Sequence, residues 1–293
     1  MFGNSSVVVM YGVTPCHAGS GSSLGVVDLP IQRERATNWP VVQASGVKGA
    51  FRANFDQYKN KIAEEDKSKI NEFDKLTESI FGSADNNGGF AGSLCVSDAK
   101  ILAYPMRSNV APFVWITCPS VLNRLRKDLD VAGKPVTVSI PQIEKNEAIV
   151  INGDIKSPVI TEDYELTIKN ISNEVKGKLA AYIGQAERLL LVSDEVFDYG
   201  VSECTQIMAQ IAIDPKSGTT KDGSLRYQEE LPSDTIMYAV VQWGDTKNSK
   251  EESLKADTIK NFICEQVIAK HIQMGGDETC GRGIFELSWI QGE

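Results

Sequence analysis

Between Gly19 and Gln32 the single ionisable side chain is that of Asp28, and Arg33 and Arg35 follow it closely. A carboxylate in such a setting could ligate a divalent cation or orient a ribose 2′-hydroxyl while the arginines hold flanking phosphates. A turn-capping Asp accounts for the same spacing and is the commoner use. Just ahead of it, Gly19-Ser20-Gly21-Ser22-Ser23-Leu24-Gly25 follows a strand-like run, and glycines let backbone N–H groups approach phosphate oxygens. The spacing is GxGxxxG, no GK[ST] follows, and Pro30 blocks the helix that a pyrophosphate site would need. A mononucleotide- or dinucleotide-binding fold is therefore disfavoured.

Three further groups have the residue types for chemistry. His17 is of the residue type that could act as an acid or base, although a single His in a Pro-Cys-His turn is more often a hydrogen-bonded structural residue. The pair Glu229-Glu230 could hold a metal ion or share a proton, yet most exposed Glu-Glu pairs do neither. The stretch Gly275-Gly276-Asp277-Glu278-Thr279-Cys280-Gly281-Arg282-Gly283 could cradle a phosphate through N–H groups and Arg282, and a helix C-cap followed by a tight turn explains its glycines equally well. The six cysteines form no CxxC pair, so they read as reduced thiols, and a zinc site would need ligands far apart in the chain.

The elements that must position these residues can be traced by periodicity. Ser6 to Val13 is a buried-strand run ending at Thr14-Pro15, and a helical pattern begins at Ser45 with Val47, Ala50, Phe51 and Phe55 on one face. A second helix is expected over 64–81, then apolar strand runs near 90–96, 101–104 and 113–117, and a helix from Pro119. Strand pieces at 147–151 and 164–168 precede a helix over 174–191; the segment 130–170 reads as an insertion. Two strand-like stretches, 206–213 and 225–242, flank a Gly/Lys/Ser/Thr-rich tip and predict a protruding β-hairpin over about 206–242. A helix over 250–272 and a terminal strand over 284–290 close the chain. The order predicts an α+β fold, an enlarged ferredoxin-like or RRM-like domain with helical insertions, as one domain over 1–293.

The 293 residues carry a formal net charge of −9, which argues against an indiscriminate nucleic-acid binder. The charge is uneven. Residues 91–127 hold Lys100, Arg107, Arg124, Arg126 and Lys127 against Asp98 alone, and residues 1–60 are also locally basic. A basic groove on an acidic body is compatible with both facts. No apolar run approaches the roughly 20 residues that span a bilayer, and the N-terminus lacks a signal peptide's basic region, so a cytoplasmic protein with no membrane partner is expected.

Taken in order, these stretches resemble the RAMP superfamily, specifically the RNA-cutting backbone subunit of type III-B (Cmr) CRISPR effector complexes. The resemblance runs through Thr14 to Gly21, Leu24-Gly25-Val26-Val27-Asp28-Leu29-Pro30-Ile31-Gln32-Arg33-Glu34-Arg35, Ser45 to Arg52, Pro105-Met106-Arg107-Ser108, Leu225 to Pro232 and the closing Gly-rich loop. It implies a ferredoxin-like palm, a thumb hairpin that interrupts the guide–target duplex, and copies stacked head to tail along a guide RNA beside other effector subunits. It implies cleavage of single-stranded target RNA at regular intervals, dependent on a divalent metal such as Mg2+ or Mn2+, with Asp28 as the catalytic acid residue and tentative metal ligand. Glu229 is implied as an assistant, with Glu230 its open alternative and His17 as possible support. Gly19, Ser20, Gly21, Arg33, Lys48, Arg52, Arg107 and Arg282 are the expected RNA contacts. A guide-RNA scaffold without chemistry is the alternative.

Overall fold

The computed structural model describes residues 4–83, 89–246, 253–268 and 270–290. Strand β1 (Ser5–Gly12) is the β-branched run expected near the N-terminus, and it is buried from Ser5 to Met10. An irregular segment leads to a two-residue strand, β2 (Val41–Val42), and then to helix α1 (Ala44–Glu65), whose Val47, Phe51 and Phe55 recur every four residues and bury one stripe. Helix α2 (Ile70–Phe81) starts later than the expected residue 64. The extended backbone of Asp66 ends α1, and its carboxylate caps a short turn by accepting from Ser68 N at 3.0 Å.

Strands β3 (Leu94–Val96), β4 (Ala99–Arg107) and β5 (Phe113–Thr117) follow the apolar runs, and Pro119 opens helix α3 (Pro119–Val131). The segment read as an insertion supplies β6 (Glu147–Asn152), β7 (Val159–Thr161) and β8 (Tyr164–Lys169). The helix expected over 174–191 is only α4 (Asn173–Ala180); Leu189-Leu190-Leu191-Val192 instead forms β9 (Leu189–Val192), buried between β5 and β6. A short continuous apolar run looks alike in a buried helix and a central strand, and here the sheet claims it. Helix α5 (Asp194–Glu203) follows, its first turn capped by Ser193 Oγ accepting from Val196 N at 3.3 Å.

The predicted hairpin is shorter than 206–242. Strands β10 (Gln206–Gln210) and β11 (Arg226–Glu230) pair with each other in a separate two-stranded sheet, while β12 (Ile236–Trp243) belongs to the centre of the main sheet. Pro232, which has no N–H to donate, and Asp234, at φ 69°, redirect the chain between them. Part of the helix expected over 250–272 lies outside the described residues; the remainder is helix α6 (Ala256–Phe262), one π turn, and a strand, β13 (His271–Gln273). The last strand is β14 (Ile284–Ile290).

Among the described residues the main sheet runs β13-β14-β1-β12-β4-β5-β9-β6-β8-β7, with β2 paired to β4 and β3 to β12. It is a mixed sheet in an α/β chain. The N- and C-terminal strands lie side by side, Val9 opposite Ser288, as strands at both ends of a domain can. This topology brings three chain segments to one end of β1. Gly12 N donates to Thr235 O at 2.8 Å, Val13 N to Ile284 O at 2.8 Å, and Cys16 N to Leu231 O at 2.9 Å. The loop after β1, the root of the hairpin and the Gly-rich loop before β14 therefore share one corner.

Candidate nucleic-acid interface

The segment from Cys16 to Pro40 has almost no regular structure, yet backbone hydrogen bonds tie it down at several points. It folds back on itself, Ser20 N and Gln32 N donating to Pro30 O and Ala18 O at 3.0 and 2.7 Å. It then lies along strand β11. Leu29 N donates to Tyr227 O at 3.0 Å and Glu229 N to Leu29 O at 2.9 Å, a parallel bridge that continues the hairpin by one short rung. At the end of that rung Asp28 Oδ2 accepts from Tyr227 N at 2.7 Å, and Ser23 N donates to Asp28 O at 2.8 Å. Asp28 is thus a capping residue, as its spacing suggested, and a presented one: its other carboxylate oxygen accepts no hydrogen bond among the described residues. The loop tip beside it carries two fully exposed apolar side chains, Leu24 and Val26.

Glu229 and Glu230 are neighbours on a strand, so their side chains point to opposite faces. Neither is exposed. Glu229 Oε1 accepts from Arg33 Nη2 at 2.5 Å and Thr205 Oγ1 at 2.8 Å, and its Oε2 accepts from Ile31 N at 3.0 Å. Arg33 spends its other end inward, Nη1 donating to the carbonyls of Asn38 and Val201 at 2.8 and 2.9 Å. The arginine expected to hold a phosphate is therefore committed to a buried pair that ties the Asp28 loop to the hairpin and to helix α5. Glu230 faces the Gly-rich loop instead, where Arg282 Nε donates to its Oε1 at 3.0 Å.

His17 joins the same corner. Its Nδ1 lies 2.7 Å from Glu229 O, an acceptor only, so Nδ1 is the donor there. The Gly-rich loop wraps around it: Gly276 N donates to His17 O and Gly283 N to Pro15 O, both at 2.8 Å. A Cβ on Gly19 would stand 2.7 Å from His17 Nε2, so this glycine makes room for the imidazole. Gly21, at φ 103°, turns the loop with open space around it, and Ser20 Oγ donates to Pro30 O at 3.1 Å. The buried Cys16 thiol is pushed up to about 12, first by burial and then by the charge of Glu230, which keeps it neutral.

Between the Asp28 loop, α5 and the hairpin lies an open cavity of about 420 Å3, lined by Val26, Val27 and Ile207 on its apolar side and by Ser202, Thr205 and Glu229 on its polar side. Lys48 and Arg52 line a different groove, of about 540 Å3, with Phe90 and Gly92 among its other walls. Burial, followed by the neighbouring Arg52 charge, lowers the Lys48 ammonium below the usual lysine range, while Cys95 acts in the opposite sense. Arg107 is not brought to this corner: Glu162 grips it bidentately, at 2.8 Å from Nε and 2.6 Å from Nη2. Thr205, Gln228 and Asn38, unnoticed in the sequence, are part of the site's frame. For Gln228 the signal was available, since alternation along a strand puts it on the face of Glu230.

Among the described residues no three His, Cys, Asp or Glu side chains converge to hold an ion, and Asp28 offers one carboxylate with one oxygen already occupied. No helix of the described residues is long and apolar enough to cross a membrane.

The family model of the RAMP superfamily matches residues 10–286. The chain is 33% identical to the CRISPR system Cmr endoribonuclease Cmr4 of Pyrococcus furiosus, covering 96% of this chain and 94% of that protein. It is also similar to the crystal structure of oligomeric Cmr4 from Pyrococcus furiosus, with a TM-score of 0.70 at 26% identity over 97% of each chain. A subunit of the type III-B Cmr-beta complex bound to cognate target RNA, seen by cryo-EM, shares the fold, with a TM-score of 0.74 at 23% identity over 98% of each chain. Matched along nearly its whole length, and by a relative a third identical to it, the chain belongs to the RAMP superfamily, in the Cmr4 family of type III-B effector subunits.

Proposed function

We propose that this chain is a guide-RNA-binding backbone subunit of a type III-B effector and that it cleaves complementary target RNA with Asp28. The observation that carries the reading is Asp28 itself, the one acid between Gly19 and Gln32, fixed by the backbone of the hairpin strand through Tyr227 N at 2.7 Å. A half-buried carboxylate held by backbone at one oxygen has the other left for a substrate, whereas Glu229 and Glu230 are committed to protein partners. In this reading the main sheet is the palm and the β10–β11 hairpin is the thumb, and copies stack head to tail on the guide beside other effector subunits. The relative's name as an endoribonuclease supports it.

The chemistry follows from what a splayed RNA strand permits. Inside a continuous A-form helix the 2′-hydroxyl cannot line up behind the neighbouring phosphorus; a hairpin that interrupts stacking removes that restraint. Asp28 takes the proton of the 2′-hydroxyl, the 2′-oxygen forms its bond to phosphorus, and the bond to the 5′-oxygen breaks, that oxygen taking a proton from water. The products are a 2′,3′-cyclic phosphate and a 5′-hydroxyl. Glu229 and Arg33 act as positioning residues, and His17, anchored through Nδ1, supports the loop. Lys48, Arg52 and Arg282 are the phosphate contacts, with Gly19, Ser20 and Gly21 facing the RNA backbone. A divalent cation, Mg2+ or Mn2+, would be held at Asp28 and would supply neutralisation of phosphate charge there.

The test uses the assembled complex with its guide. With Asp28→Asn, cutting of a guide-complementary RNA falls by at least about 100-fold, in the range of a lost general base, while guide retention is unchanged; Lys48→Ala weakens guide retention. Undiminished cutting by the assembled Asp28→Asn complex would leave the non-catalytic scaffold as the function.

A further inference from the structure

Strand β11 is used on both faces. On one, Glu229 holds the Asp28 loop. On the other, Gln228 and Glu230 are 2% and 0% exposed, and both reach into the Gly-rich loop. Gln228 Nε2 donates to Asp277 Oδ2 at 2.5 Å, and Arg282 Nε donates to Glu230 Oε1 at 3.0 Å. Asp277 sits in the left-handed region at φ 57°, as do Gly281 and Gly283 at 74° and 75°, so the loop is tightly wound around these two anchors. The Glu230 carboxylate is 1% exposed and its Oε2 is buried without a hydrogen-bond partner.

As a stabilising device this pair is a poor bargain. Burying a carboxylate for one ion pair and a 3.5 Å hydrogen bond from Gln228 Nε2, both to Oε1, with its second oxygen unmet, gains little over an apolar replacement. Its distinctive product is aim. Arg282 is 27% exposed, its Nε is taken, and its two terminal nitrogens have no partner among the described residues. A guanidinium fixed at Nε presents those terminal donors in a set direction, the geometry that meets a phosphate bidentately.

We propose that Glu230 is a positioning residue that aims Arg282 at one phosphate of the guide strand in each copy, with Gln228 and Asp277 fixing the same loop at a second point. The proposal rests on the reading of the chain as a guide-binding, target-cutting subunit. Because Glu229 holds the Asp28 loop from the opposite face of β11, the strand sets the offset between a held guide phosphate and the cutting carboxylate.

The experiment measures guide affinity of the assembled complex against salt concentration. Each phosphate contact on a single strand contributes about 0.7 to the slope of log affinity against log salt. Arg282→Ala is expected to lower the slope by about that amount per copy. Glu230→Leu is expected to lower it equally, and the double variant no further, whereas Glu230→Gln, which keeps an acceptor for Nε, retains the wild-type slope. A role in folding alone would lower thermal stability and leave the slope unmoved. Should Glu230→Leu fail to assemble, Glu230→Asp decides: its carboxylate, shorter by one methylene, no longer meets Arg282 Nε from the same strand position, so its slope falls as in Arg282→Ala. Wild-type slope in Glu230→Leu or Glu230→Asp, or additive losses in the double variant, would overturn the proposal. Wild-type complex that neither binds guide nor cuts would overturn the functional reading, and the proposal with it.

Discussion

Replacing Glu229 by Ala removes the acceptor of three hydrogen bonds at once: from Arg33 at 2.5 Å, Thr205 at 2.8 Å and Ile31 N at 3.0 Å. What remains is a guanidinium whose side chain is 16% exposed, now facing a vacancy, and a buried backbone N–H with no partner. Breaking one side of a buried ion pair costs about 3–5 kcal/mol, because the surviving charge is left uncompensated. Arg33 keeps its two bonds to backbone carbonyls, which places the loss near the lower end, about 3 kcal/mol. At roughly 2–4 °C per kcal/mol for a chain of this size class, the melting temperature falls by roughly 6–12 °C. The assay is thermal unfolding of Glu229→Ala, Arg33→Leu and the double variant. The double variant is expected to recover at least about 1 kcal/mol over the sum of the singles, since it carries no unpaired charge. A loss below about 1 kcal/mol, or simple additivity, would refute the claim that this pair anchors the Asp28 loop.

Three further outcomes concern the glycines and thiols. Gly283→Ala places a Cβ 1.8 Å from Met274 O at φ 75°, so it is expected to cost more than about 2 kcal/mol; Gly281→Ala, at φ 74° with open space around it, costs only the left-handed strain of about 1–2 kcal/mol. Thermal unfolding of the two variants side by side checks the difference. Cysteine reactivity at pH 8 separates buried from exposed thiols: with a pKa of about 12 Cys16 is ionised in about one molecule in ten thousand, so Cys95 and Cys280 are labelled by a thiol reagent while Cys16 and Cys118 react only after unfolding. The same shift has a sign for stability. A thiol raised in the folded state contributes fully below its unfolded value and loses that contribution as pH climbs toward 12, so Cys16 favours alkaline unfolding. Urea titration between pH 8 and 11 reads it, and stability that rises over that range in wild type relative to Cys16→Ala would contradict it.

Sequence reading reached the strands whose residues obey one period. Ser5 to Met10 is continuous and β-branched because β1 is buried between two neighbours, and Ile284–Ile290 alternates because one face of β14 is open. It failed where a long-range partner chooses the outcome. The run Leu189 to Val192 is strand because β5 and β6 flank it, a fact residing in residues more than thirty positions away. The extent of the hairpin was misjudged because Ile236 to Trp243 has the same composition as an arm strand, and only its pairing with β1 and β4 assigns it to the core. At the site, Asp28 was legible as an isolated acid. The burial of Glu229 and Glu230 was not, since a Glu-Glu pair with no cation beside it in sequence looks solvated; their arginines lie 196 and 52 residues away.

The two-stranded hairpin contacts the rest of the chain at its root, while from Ile211 to Gly223 every residue but Asp214 is exposed. Root and tip are therefore under different rules. The root carries Glu229, Glu230 and the rung to Leu29, so a change there moves the whole corner. The tip is free to vary, because lengthening a flexible turn costs only about 0.6 kcal/mol for each doubling. Reach is thus a quantity that can be retuned, by residue insertion between Ile213 and Thr220, without touching the Asp28 corner: an arm of adjustable length on a fixed base.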